Sequence, residues 1–147
     1  MVSSAFNHLP FPSIQPGKNE PMPAKATINK LFLIDGIGAI ITALLLSQVL
    51  ARYESVFGMP ASLLYILAGV AACFAVYSLT CYWRIKEGGA PFLTGIAVAN
   101  TLYCIATLGI VAYRFDTLTW LGVAYFLGEV LVVMALVSVE LGAARKA

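Results

Sequence analysis

Four long stretches of the chain run almost without charge, at 29–52, 61–83, 92–113 and 118–142. Apolar runs of about 18 or more residues read as membrane-spanning helices. At about 1.5 Å of rise per residue, each is long enough to cross a hydrocarbon core of about 30 Å with some tilt. The segments between them, around "SVFGMP", "IKEGGA" and "RFDT", are short. Short links make successive helices antiparallel neighbours. The pattern therefore predicts an all-α membrane protein, an up-down-up-down four-helix bundle spanning 28–147. Pro60 and Pro91 suit the first turns of helices two and three, where a missing N–H does no harm.

Residues 1–27 break this pattern. "LPFPSIQPGKNEPMP" carries prolines 10, 12, 16, 21 and 23 and no helical period. Such a segment reads as a disordered or loosely extended tail.

Within each predicted helix, polar and small residues gather on one side when laid out at about 100° per residue. Helix one aligns Asp35, Gly38, Ala39, Thr42, Leu46 and Tyr53. Helix two aligns Gly69, Cys73, Tyr77, Thr80, Cys81 and Arg84. Helix three groups Asn100, Tyr103, Cys104 and Thr107, and helix four Gly122, Tyr125, Glu129, Leu136 and Glu140. Four such stripes are expected to face inward, because small residues permit close approach and polar ones bond across the seam.

Composition sharpens the class. Of 147 residues 61% are hydrophobic and 11% charged, too apolar for a soluble domain of this size. The net charge of +2 gives no basis for nucleic-acid binding. The distribution of basic residues is more informative. Lys18, Lys25, Lys30, Arg84, Lys86, Arg145 and Lys146 fall at one end of the bundle, Arg52 and Arg114 at the other. By the positive-inside rule both termini are expected in the cytoplasm, with the protein in the inner (plasma) membrane. Tyr82 and Trp83 would stand at the inner interface, and Tyr53, Phe57, Tyr113, Phe115 and Trp120 at the outer one.

The carboxylates are the candidate chemistry. On this topology Asp35 lies about 9 Å below the cytoplasmic interface. Lys30 is about a turn away, Arg84 ends helix two on the same side, and Glu140 and Tyr77 fall in the same layer. Asp35, Arg84, Lys30, Glu140 and Tyr77 are thus expected to form an inner-layer charge cluster that registers the helices, since long basic side chains bridge such distances. A direct role for Asp35 in binding or proton movement is the alternative. Glu129 sits deeper, near midspan, with no basic residue at its level. Asn100, Tyr103, Tyr125 and Cys104 are its expected neighbours. An ionised carboxylate without a partner is costly there, so it must be neutral, wetted, or paired with something from outside. A protonated lock on Asn100 or a tyrosine and a ligand- or proton-handling group both remain open.

Other chemistries find little support. His8, in the tail, is the single histidine, which excludes a His-ligated haem within the bundle and argues against a metal site. Cys73, Cys81 and Cys104 form no C-x-x-C pair and read as small buried hydrophobes. No cofactor and no catalytic residue is expected.

The four short-looped spans, with "FGMP" between the first two, resemble the layout of small bacterial four-helix membrane proteins, including the DoxX-like group. The resemblance is architectural across residues 28–144 and transfers no site. The leading expectation is a non-enzymatic binding or accessory protein. Its polar stripe would contact a lipid-like ligand or a partner membrane subunit, and its partners would be membrane lipids, another membrane protein or further copies of itself. A small oligomeric transporter using Glu129 is the second expectation. A membrane enzyme acting on lipid or quinone, with Glu129 as acid/base and Tyr103 or Tyr125 assisting, is the third.

Overall fold

The structure, a computed structural model, describes residues 24–147, with side chains from 26 onward. The tail reading therefore lies outside the described residues except at 24–27, which are already helical. Helix α1 runs Ala24–Leu44 and continues as a π-helical segment, Leu45–Leu50. A short α2, Glu54–Phe57, sits in the first connection, where the sequence pattern suggested only a link. Helices α3 (Ala61–Arg84), α4 (Ala90–Tyr113) and α5 (Trp120–Ala144) follow. With α1 and its π-helical continuation, α3, α4 and α5 are four helices long and apolar enough to span a membrane. Among the described residues there is no strand.

The chain forms two tight hairpins, α1 on α3 and α4 on α5, with thinner contact between them. Gly36 explains the first. A Cβ there would stand 2.8 Å from the Leu79 side chain, so only glycine lets α1 lie this close to α3 without displacing it. Two apolar clusters fill the ends. Ile28, Leu31, Phe32, Cys81, Leu93 and Ile96 pack at the end carrying the C-terminus. Leu46, Leu50, Met59, Leu64, Leu67 and Phe126 pack toward the other.

The π-helical turn changes the face that α1 presents. Ala51 N–H reaches back five residues to the Leu46 carbonyl, at 3.0 Å, and Ser47 Oγ donates to the Ala43 carbonyl at 2.7 Å. A wider turn shifts the helical register. Leu46 and Leu50 therefore close the inward face, and Tyr53, expected on that stripe, is exposed.

The end opposite the termini is stitched by backbone contacts. Thr119 caps α5 by accepting from Gly122 N–H at 3.2 Å, and its hydroxyl donates to the Val56 carbonyl at 2.6 Å. Thr119 N–H donates to the Phe57 carbonyl at 3.2 Å. Gly58 ends α2 in the left-handed region, at φ 75°, packed on residues 117–119. Glu54 accepts from Ala61 N–H at 2.8 Å, placing a carboxylate at the start of α3, where the helix dipole favours it.

Candidate functional site

Each membrane-spanning helix contributes one polar residue to a buried layer in the half of the bundle that carries the C-terminus. Asp35 of α1 is 3% exposed. Its Oδ2 accepts from Ser78 Oγ of α3 at 2.5 Å, and its Oδ1 from Asn100 Nδ2 of α4 at 2.7 Å. Glu140 of α5 is fully buried, and neither of its carboxylate oxygens has a hydrogen-bond partner. Local sequence explains the convergence. Gly36 brings α3 against α1, and Ala71, Ala75 and Ser78 line up at helical spacing on the facing side.

A second polar contact lies further from the termini, three residues on from Asn100 along α4 and eleven residues before Glu140 on α5. Tyr103 of α4 donates to Glu129 Oε1 of α5 at 3.0 Å. Glu129 is half-buried, and its Oε2 is enclosed without a partner. Phe74 packs edge-on against the Tyr103 ring, with centroids 6.1 Å apart, and so limits how the phenol can turn.

Between the two layers lies a cavity of about 90 Å³. Asp35, Asn100 and Tyr103 form its polar floor, and Gly38, Thr42, Val132 and Leu136 are among its walls. Gly38 has open space where a Cβ would project, and Val132 is 71% exposed. The cavity therefore opens between α1 and α5, onto the face turned toward lipid. It is far below the 300–1,000 Å³ or so of a site that engulfs a drug-sized molecule. It has room for a polar head or a single side chain.

Several expectations are corrected here. Asn100 serves Asp35, not Glu129, because it sits nearer the terminal end than Tyr103 and faces α1. The ionic cluster expected around Asp35 is replaced by neutral donors: Lys30 and Arg84 are exposed, and Ser78 and Asn100 hold the carboxylate. Tyr77 is also turned outward, and its hydroxyl donates to the Phe92 carbonyl at 3.2 Å. Helix two is rotated from the expected stripe, of which Cys81 is buried. Gly69, Cys73, Tyr77 and Thr80 are exposed, whereas Ala68, Ala71, Ala75 and Ser78 are buried. Close packing on α1 selects the smallest side chains, not the most polar. Tyr125 stacks edge-to-face with Phe57 and Phe126 rather than bonding Glu129. Cys104 is buried beside this region as a free thiol. Ser78 went unrecognised in the sequence. Its signal was its place in the row of alanines at 68, 71 and 75. Among the described residues no group of three or more His, Cys, Asp or Glu is arranged to hold a metal ion.

Comparison with protein-family models, curated proteins and solved structures returns no match. Nothing in these comparisons bears on the expected resemblance to the DoxX-like group.

Proposed function

We propose that this multi-pass membrane protein is a non-enzymatic binding or accessory module. In this reading both termini face the cytoplasm across an inner (plasma) membrane, in line with the basic residues clustered at that end. The working surface is the cleft between α1 and α5, and its occupant is a lipid-like molecule or the helix of a partner subunit.

The observation that carries this is the polar floor of a cavity that otherwise opens to lipid. Asp35, Asn100 and Tyr103 stand at the bottom of an opening walled by Gly38, Thr42, Val132 and Leu136. Hydrocarbon offers such polar groups no partners, so a molecule that brings a polar group into the cleft is held there and excluded from elsewhere on the apolar surface. The volume of about 90 Å³ admits a head group or a side chain while the apolar remainder lies along the α1–α5 groove.

A photo-crosslinking residue at Val132 in native membranes tests this. The expected result is a discrete adduct, to a lipid-like molecule or a membrane polypeptide, that disappears when Gly38→Phe fills the cleft. The same probe at Val76, on the lipid-facing side of α3, should give only diffuse labelling. Identical labelling at the two positions, indifferent to Gly38→Phe, would refute the cleft.

A second reading, a small oligomeric carrier, is favoured by one observation. The half-buried Glu129 keeps an unpartnered Oε2 deep within its span. Substrate flux in proteoliposomes that is lost in Glu129→Gln, with the fold retained, would select it.

A further inference from the structure

The floor of the cleft is uneven in what it offers a ligand. Asp35 receives the Ser78 hydroxyl on one carboxyl oxygen, at 2.5 Å, and the Asn100 amide N–H on the other, at 2.7 Å. A carboxylate has about four acceptor positions, so two donors leave acceptor capacity on both oxygens. Asn100 has turned its amide nitrogen toward Asp35, which frees its Oδ1. Among the described residues nothing donates to that oxygen, and it is not enclosed, so it meets the cavity that Asn100 lines. Tyr103 gives its one hydroxyl hydrogen to Glu129 Oε1, at 3.0 Å, and keeps only lone pairs for a further partner. Phe74, which lines the same cavity, packs edge-on against the Tyr103 ring and holds it in that pose. The donors left are the second Asn100 N–H and, on the wall, the Thr42 hydroxyl. The protein's own hydrogens are thus largely used within the bundle, and oxygens face the cleft.

We propose that the cleft takes a single-chain amphipathic molecule with a hydrogen-bond donor head, a hydroxyl or an amine, whose O–H or N–H points at Asp35, Asn100 Oδ1 and Tyr103. This rests on the cleft reading above and adds the chemistry of the occupant. A head that only accepts, such as an ester or a ketone, sets lone pair against lone pair on this floor, and an anionic head does so with a full charge. Leaving buried acceptors unpaired is costly, which makes such a floor selective for donors over isosteres that lack them. Size favours a thin chain over a partner helix. The cavity is about 90 Å³, and it lies between two helices that touch one another. A helix about 10–12 Å across would ride on the rims of that groove. Ile34 and Ile41, each beside a lining residue of α1, and Leu131, beside Val132 on α5, are exposed and apolar. One alkyl chain can lie along that surface while its head reaches the floor.

The test uses the full chain in liposomes and hexadecanol carrying a mid-chain diazirine, with labelled residues located by mass spectrometry. The expected result is saturable labelling on α1 around 38–42 and on α5 around 131–136, abolished by Gly38→Phe. Unlabelled hexadecanol or hexadecylamine should displace the probe at about a tenth of the concentration needed with methyl hexadecanoate, the advantage of one hydrogen bond to a charged or buried acceptor. Hexadecane sulfonate should compete no better than the ester. The ratio of amine to alcohol then says whether the preferred head is an amine or a hydroxyl. The competition series is run on the unaltered protein, so the proposal can be judged even if Gly38→Phe does not fold. Equal competition by alcohol and ester, or preference for the sulfonate, would overturn the donor head while leaving the cleft in place. Absence of saturable labelling, with the adduct at Val132 still discrete and identified as a membrane polypeptide, would overturn the amphiphile in favour of a partner subunit. Absence of saturable labelling together with diffuse labelling at Val132 would remove the cleft itself.

Discussion

Changing Asn100 to leucine should show how the four helices are held in register. Asn100 is 5% exposed and donates to Asp35 Oδ1 at 2.7 Å, while Ser78, fully buried, donates to Oδ2. Asn100→Leu removes one of two donors and leaves a buried carboxylate oxygen without a partner. A hydrogen bond to a charged group is worth about 1.5–3 kcal/mol in water-soluble proteins. Polar contacts between membrane helices average nearer 0.6 kcal/mol, with a maximum of about 1.7. The deficit left on Asp35 adds to this, so the expected loss is about 1–3 kcal/mol. Asp35→Leu alone should cost a comparable amount by stranding the Asn100 amide and the Ser78 hydroxyl. The double variant replaces both partners with apolar groups and should lose much less than the two singles together, because no polar group of the Asp35–Asn100 pair is then stranded. Reversible unfolding in mixed micelles, followed by circular dichroism, supplies the four free energies of the cycle. A coupling above about 1 kcal/mol is expected. Strict additivity, within about 0.3–0.5 kcal/mol, would refute the reasoning.

At the opposite end, Gly122→Val should be among the most damaging single changes. A Cβ there falls 2.1 Å from the Phe57 carbonyl oxygen, and overpacking of this kind costs about 1–3 kcal/mol or more, read as a lowered Tm. Thr119→Val removes both the cap on Gly122 N–H and the bond to Val56, and should cost about 0.5–2 kcal/mol in the same assay. Glu129→Gln should leave Tm nearly unchanged, since the amide oxygen still accepts from Tyr103. A collapse of the fold would mean that Glu129 is structurally paired as an anion. Reporter fusions should place both termini and the 85–89 connection on one face of the membrane and the 51–60 connection on the other. A terminus on the same side as the latter would remove the four-span topology.

The four spans are legible in the chain because membrane insertion depends on local quantities. An uninterrupted apolar run of sufficient length must satisfy its own backbone as a helix, whatever it later packs against. The same applies to the short links and to the buried stripe on helix three, where Asn100, Tyr103, Cys104 and Thr107 are the only polar or polarisable side chains on one face. Pairing is not local. Asp35 could reach Lys30 or Arg84 by length and charge alone. What decides against them is Gly36, which draws α3 close and brings Ser78 to the carboxylate before any snorkelling base can arrive. The face of helix two was misjudged for the same reason. Polarity marks Cys73, Tyr77 and Thr80, but steric fit against α1 selects Ala71, Ala75 and Ser78. The π-helical turn at 45–50 and the short α2 also depend on contacts beyond their own sequence, α2 through the seat that Gly58 and Gly122 leave for it on α5. Hydropathy along the chain thus determined which segments cross the membrane. The distance between helix axes, set by a few glycines and alanines, decided which polar groups meet.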